Sequence, residues 1–347
     1  MIETISKFID GLGLGGNILF FLVGFLLLIK GGDWFVDGST AVARRFRIPE
    51  IIVGATVVSI GTTLPEVLVS ATAAIEGHGE IAYGNAIGSV ICNTALIAAL
   101  TAAVRPGTVD RKSLRTPVLF FFGSAAFYIL NAYINKGFPR WSGMVLLAVF
   151  VVYMILSVRQ GLNKKDELPA GGSDGGQQGA QEDENEKEKD MPLGKALVLL
   201  VVGAACIALG AKLLVDHGTK IAGALGVPES VIALTFVALG TSLPELVTAI
   251  TSLAKGHSAL SLGNVIGANL FNLVLVSGTA ITISPFNLPV EKTIAGMNAS
   301  LVVDVPLMLV VMWILTVPAL AKGKMSRWQG ILLLALYAAF CVFQFVG

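Results

Sequence analysis

The 347 residues are 54% hydrophobic and 14% charged, with a mean hydropathy of +0.79 and a net charge of +1. Water-soluble domains carry about 25% charged residues, so this composition excludes one and assigns the chain to a lipid bilayer. The near-neutral charge by itself says nothing about nucleic acid, which is not expected as a partner, because in a bilayer what matters is how Lys and Arg distribute among the loops; Cys92, Cys206 and Cys341 all lie in apolar runs, as packing residues do, rather than in a disulfide or zinc pattern.

Apolar runs of roughly 20 residues, long enough to cross about 30 Å of hydrocarbon, recur ten times, centred near residues 27, 60, 92, 124, 150, 208, 240, 270, 308 and 336. The first, "NILFFLVGFLLLIKGGD", has neither a basic segment before it nor a small-residue cleavage site after it, and reads as a retained helix, not a signal peptide. The second carries "GTTLPE" (Gly61 to Glu66) and the third "GNAIGSVICN" (Gly84 to Asn93). After the fifth comes the one long polar tract, residues 161–192, rich in Gly, Gln, Glu and Lys, which reads as a disordered linker. Beyond it the motifs return as "GTSLPE" (Gly240 to Glu245) and "GNVIGANLFN" (Gly263 to Asn272).

Shifted by 179 positions, residues 31–97 align with 210–276 without a gap, and 23 of the 67 positions are identical. Each half holds five spans, an odd number, so the second enters the membrane from the opposite side. The expected fold is therefore an all-α multi-pass membrane protein: ten transmembrane helices as two inverted five-helix repeats, with broken helices at the midplane. Residues 1–160 form the first repeat, with its motif at 54–97. Residues 193–347 form the second, with its motif at 233–276. Most of the 24 Lys and Arg fall in alternate loops on one side, among them Arg44, Arg45, Arg105, Arg111, Lys112, Lys255 and Lys324. That side, with the linker, is expected in the cytoplasm and both termini outside, across a cell (inner) membrane.

The repeated motif has a chemical reading. Pro65 lacks an N–H, so the carbonyls of Gly61 and Thr62 lose intrahelical partners and the helix is expected to open there; Pro244 does the same for Gly240 and Thr241. Freed carbonyls persist inside a membrane only where something polar satisfies them. Beside them stand Glu66 with Thr62 and Thr63, and Glu245 with Thr241 and Ser242. Carbonyl, hydroxyl and carboxylate oxygens at one depth are the ligand set of a hard cation such as Ca²⁺ or Na⁺, and a mid-span carboxylate is costly to keep without use. Asn85, Ser89 and Asn93 are four apart on one face of the following helix, and Gly84 and Gly88 admit a close neighbour; Asn264, Ala268 and Asn272, with Gly263 and Gly267, repeat the plan. Asn85 and Asn264 read equally as caps at span starts, His78 and His257 as loop-boundary residues, and Asp304 as a polar group near a helix start. His217, Asp37 and Asp216 suggest no partner.

These paired motifs resemble the two alpha-repeats of the cation/calcium antiporter superfamily, and specifically its sodium/calcium exchangers. The resemblance implies Na⁺/Ca²⁺ exchange by alternating access at a shared midplane site, not an enzyme activity, with no cofactor beyond the transported ions. Glu66 and Glu245 would be the acidic ligands common to both ions. The carbonyls of Thr62 and Thr241 would complete the Ca²⁺ site. Thr63, Ser89 and the Ser59 carbonyl would build one Na⁺ site, Ser242 and the Ala238 carbonyl another, with Asn93 and Asn272 flanking the centre. Two positions depart from relatives: Ala268 stands where some prokaryotic members have serine, and Asn272 where some, including the potassium-dependent branch, have Asp. A calcium/proton antiporter using the same carboxylates stays open, as do a passive channel and an intramembrane hydrolase, though no Ser/His or paired Asp motif accompanies the glutamates.

Overall fold

The structure is a computed structural model and describes residues 13–164, 191–226, 240–288, 293–294 and 296–346. Ten helices lie among them: α1 Gly13–Phe46, α2 Glu50–Ile75, α3 Gly79–Val104, α4 Arg111–Asn135, α5 Arg140–Lys164, α6 Leu193–Ala224, α7 Leu243–Ala254, α8 Ser258–Ile283, α9 Ser300–Lys322 and α10 Arg327–Val346. All except α7 are long and apolar enough to cross a membrane. Residues 165–190 of the expected linker lie outside the described residues, while 161–164 continue α5 as helix.

The two halves share one core. Residues of the first half (Ile87, Phe121, Tyr153) and the second (Phe271, Met308, Leu315) belong to a single buried cluster. Large apolar side chains of α1, α5 and α6, such as Leu19, Leu26, Val151, Val201 and Leu209, point outward, as a lipid-facing surface requires. Helices α1 and α6 run against each other along their length through small residues spaced by seven. A Cβ on Gly24 would meet the Gly210 carbonyl at 2.9 Å, one on Gly31 the Gly203 carbonyl at 2.9 Å, and one on Gly38 the Ala196 carbonyl at 2.6 Å. The rising numbers of one helix meet the falling numbers of the other, so the pair is antiparallel.

The interruptions differ from the simplest expectation. Helix α2 passes through Pro65 without a break, and its irregularity is a π-helical turn over Gly54–Val58. A single missing N–H removes one hydrogen bond, which a tightly packed neighbourhood tolerates. In the second half, Gly240 to Ser242 form a turn and α7 begins at Leu243, so Pro244 sits in the first helical turn, where its missing N–H costs no intrahelical bond. Helices α3 and α8 each carry a π turn of their own, Asn93–Ala98 and Asn272–Val276. Both begin at the repeat-related asparagines. Such turns leave carbonyls to be satisfied by other groups: in α2 the Tyr153 hydroxyl donates to the Ala55 carbonyl at 2.9 Å, and in α8 Ser277 donates to the Asn272 carbonyl at 3.0 Å.

Candidate ion site between the halves

Four helices bring the motif residues together. Thr62, Thr63 and Glu66 lie on α2, and Asn85, Ser89 and Asn93 on α3. Thr241 and Ser242 lie in the turn before α7, Glu245 in its first turn, and Asn264, Ala268 and Asn272 on α8. Glu66, Glu245, Asn93 and Asn272 have no exposed surface, and Ser59, Thr62, Thr63, Ser89, Ser242 and Ala268 are buried beside them. Thr241 is half-buried.

Close approach of α2 and α8 sets the geometry. Cβ atoms on Gly54 and Gly263 would run into the backbone of the opposite helix, at the carbonyls of Leu260 and Ile51, and one on Gly267 would strike Ser59 and Ala55. The GxxxG edge of α8 thus packs on the other half's motif helix, as small residues in membranes permit. Across this contact Ser59 Oγ donates to the Asn264 carbonyl at 2.9 Å, and Thr62 Oγ1 to Asn264 Oδ1 at 3.2 Å. The repeat-related bond is present too: Thr241 Oγ1 donates to Asn85 Oδ1 at 3.3 Å. Asn85 Nδ2 donates to the Glu66 carbonyl at 3.2 Å and to Ser70 Oγ at 2.8 Å. Thr63 Oγ1 lies 3.5 Å from Glu245 Oε1. Each half therefore clasps the threonine of the other.

What the protein leaves unpaired is as informative. Both carboxylate oxygens of Glu66, Oε2 of Glu245, the amides of Asn93 and Asn272 and the Ser242 hydroxyl are buried without a hydrogen-bond partner. Buried carboxylate oxygens are normally paired because desolvation without compensation costs several kcal/mol. Here the unpaired atoms are mostly oxygens and converge from both halves. They suit a desolvated cation with oxygen preference, and the two carboxylates balance the charge of one divalent or two monovalent ions.

The expected site residues divide accordingly. Glu66, Glu245, Thr62, Thr63, Thr241, Ser242, Asn93, Asn272, Ser89 and Ser59 lie on the elements that meet here; Ala238 lies outside the described residues. Asn85 and Asn264 are not helix caps: each is well inside its helix and makes the inter-half bond. His78 and His257 do sit at helix boundaries, as the N-cap residues of α3 and α8, and His257 Nδ1 is 2.8 Å from Glu50 Oε1. Partners also exist for residues that suggested none: Asp37 pairs with Lys255 at 2.5 Å, Asp216 with Lys212 at 2.9 Å, and His217 Nδ1 contacts Asn17 Oδ1 at 2.7 Å. Asp304 is in the first turn of α9 and accepts from Gln344 at 3.2 Å. Sequence reasoning missed Asn269, whose amide donates to Thr94 at 2.7 Å and joins α8 to α3 beside Asn93. Its counterpart in the other repeat is Val90, so repeat matching could not find it.

Comparison with known proteins agrees with this architecture. Residues 16–159 and 195–346 match the family described as sodium/calcium exchanger protein. An uncharacterized membrane protein of Methanocaldococcus jannaschii is 38% identical over 321 residues, 92% of this chain and 94% of that protein. The sodium/calcium exchanger MaX1 of Methanosarcina acetivorans is 31% identical over 356 residues, covering 95% of this chain and 98% of that one. A solved structure of the sodium-calcium exchanger NCX_Mj, soaked with Na⁺ and Sr²⁺, superposes with a TM-score of 0.73 at 33% identity, covering 94% of this chain and 98% of that chain. With its two motif-bearing halves interlocked around paired glutamates, the chain belongs to the sodium/calcium exchanger family of the cation/calcium antiporter superfamily, a family of membrane transporters and not of enzymes.

Proposed function

We propose that the protein exchanges Na⁺ for Ca²⁺ across the cell membrane by alternating access at the site between its halves. The observation that carries this reading is the pair of fully buried glutamates, three of whose four carboxylate oxygens, both of Glu66 and Oε2 of Glu245, have no donor. Glu66 and Glu245 serve both ions in turn. Thr62 and Thr241 add carbonyl oxygens for Ca²⁺, and Thr63, Ser89, Ser59, Ser242 and Ala238 build the flanking Na⁺ sites, with Asn93 and Asn272 beside the centre. The Arg- and Lys-rich end of the bundle faces the cytoplasm.

Charge balance gives the coupling. Two carboxylates neutralise one Ca²⁺ or two Na⁺, and only a neutralised site crosses the low-dielectric interior cheaply. The empty, doubly negative site is penalised, so the fluxes are linked through competition for the same oxygens. A third Na⁺ would make the Na⁺-loaded form positive and exchange voltage-dependent, by about 2.3 kcal/mol per charge per 100 mV.

The test is uptake of radiolabelled Ca²⁺ into proteoliposomes loaded in turn with Na⁺, with K⁺, or with a pH gradient alone. The expected result is uptake only against an outward Na⁺ gradient. Uptake driven by the pH gradient and indifferent to Na⁺ would overturn the Na⁺ coupling and identify a proton/Ca²⁺ antiporter.

A further inference from the structure

A small cavity, of ≈ 30 Å³, lies at the basic end of the bundle, where Thr101, Arg105, Thr108, Ser258 and Ser261 line it together with apolar residues such as Leu253. Its roof is a pair of loops held together by backbone hydrogen bonds: Val109 N–H donates to the Gly323 carbonyl at 2.9 Å, and Met325 N–H to the Gly107 carbonyl at 2.8 Å. Its wall is the beginning of α8. That helix has 26 residues, and its N-cap residue, His257, gives it no side-chain cap because the imidazole is turned to Glu50. The amides of the first turn and the positive end of the helix dipole are thus left for something else.

The independent observation is Ser261. It is 2% exposed, lines the cavity floor, and its hydroxyl has no hydrogen-bond partner. Arg105 and Thr108 stand at the exposed mouth, and Arg105 reaches across to donate to the Leu253 carbonyl at 3.1 Å. Arg111 and Lys112 at the start of α4, Lys324 in the segment before α10 and Arg327 at the start of α10 add further positive charge to this end. The acidic groups nearby are already engaged: Asp110 accepts from Lys112 N and Ser113 Oγ, and Glu50 Oε1 contacts His257 Nδ1.

We propose that this cavity binds a phosphate group, with one or two oxygens on Ser261, Ser258 and the first-turn amides of α8 and the remainder on the Arg105 guanidinium. The cavity has room for about two waters, which suits the edge of a tetrahedral anion whose other oxygens stay at the mouth. Helix N-termini and arginine forks are complementary to that charge and shape. The donor set does not distinguish free inorganic phosphate from the phosphomonoester headgroup of a lipid. Bound phosphate would join the end of α3 to the start of α8, the two helices that carry Asn93, Asn264 and Asn272.

The test uses the full chain, purified in neutral detergent, with thermal unfolding followed during titration with inorganic phosphate against chloride at matched ionic strength. A saturable rise in unfolding temperature is expected. Ser261→Ala and Arg105→Gln should each raise the half-saturating phosphate concentration about tenfold, in line with loss of a charge-assisted bond, and Arg45→Gln should not. Ser261→Ala removes an unpaired hydroxyl and leaves the fold intact, so lost binding in this variant is not lost folding. A parallel series in nanodiscs compares phosphatidylcholine alone with added phosphatidic acid. A shift seen only with phosphatidic acid and lost in the two variants supports the site with lipid as its source. Shifts equal to those in chloride, or unchanged in both variants, overturn the proposal.

Discussion

Glu66→Gln isolates the role of charge, since it keeps side-chain volume and removes one of two balancing carboxylates. Both Glu66 oxygens are buried and without donors, so the substitution breaks no hydrogen bond that holds the fold. With Ca²⁺ bound, the variant leaves one positive charge uncompensated at mid-span, and an uncompensated charge there costs about 2.5–3.5 kcal/mol. At about 1.4 kcal/mol per tenfold, Ca²⁺ affinity should fall by roughly 60- to 300-fold. The same arithmetic applies to Glu245→Gln. The assay is Na⁺-driven uptake of radiolabelled Ca²⁺ over a range of Ca²⁺ concentrations, with size-exclusion profiles to verify that both variants are folded. If either variant exchanges within about threefold of the unaltered protein at low Ca²⁺, the charge-balance argument is wrong.

Other consequences are open to measurement. Asn272→Asp places a third carboxylate among two, which must hold a further proton or cation; turnover should drop several-fold and become sensitive to pH or K⁺ in the variant alone, while the unaltered protein runs without K⁺. A strict K⁺ requirement in the unaltered protein would refute the assignment of Asn272 as a neutral ligand. Asn264→Leu strips the Thr62 hydroxyl of its 3.2 Å acceptor and should cost about 1–3 kcal/mol in thermal unfolding. Adding Thr62→Val should recover part of that loss, because nothing polar is then left unpaired; additive losses in the double variant would contradict the bond. Gly263→Ala drives a Cβ into the Ile51 carbonyl and should cost about 1–3 kcal/mol. Gly15→Ala, with nothing within 4 Å, should be neutral or stabilising in the same unfolding assay.

Much of the architecture was legible because membranes leave few options. Apolar length marked the nine spans that stand as long helices among the described residues, and the register of Glu66 with Glu245 and Asn93 with Asn272 marked the repeat. What sequence could not show is how the halves meet. Asn85 and Asn264 look like helix starts when each is read beside its own motif, and become inter-half clasps only when α2 lies on α8. The π turns at Asn93 and Asn272 were also hidden, since no residue type signals a hydrogen bond shifted by one position. Proline misled in the opposite direction. Pro65 suggested a broken α2, whereas the helix continues and its irregularity lies nearer its start, at Gly54–Val58.

The crossed bonds Thr62–Asn264 and Thr241–Asn85 bear on assembly during synthesis. The first five helices leave the ribosome carrying Glu66, Asn93 and the hydroxyl of Thr62, but the acceptor for that hydroxyl is encoded some 200 residues later. Until α8 arrives, the surface of α2 that will meet it, Ile51, Ala55 and Ser59, lacks the α8 backbone that covers it in the finished protein. The nascent first half is therefore an intermediate with a polar seam open inside the membrane. Insertion of the second half closes that seam and brings Glu245 to the helices that carry Glu66.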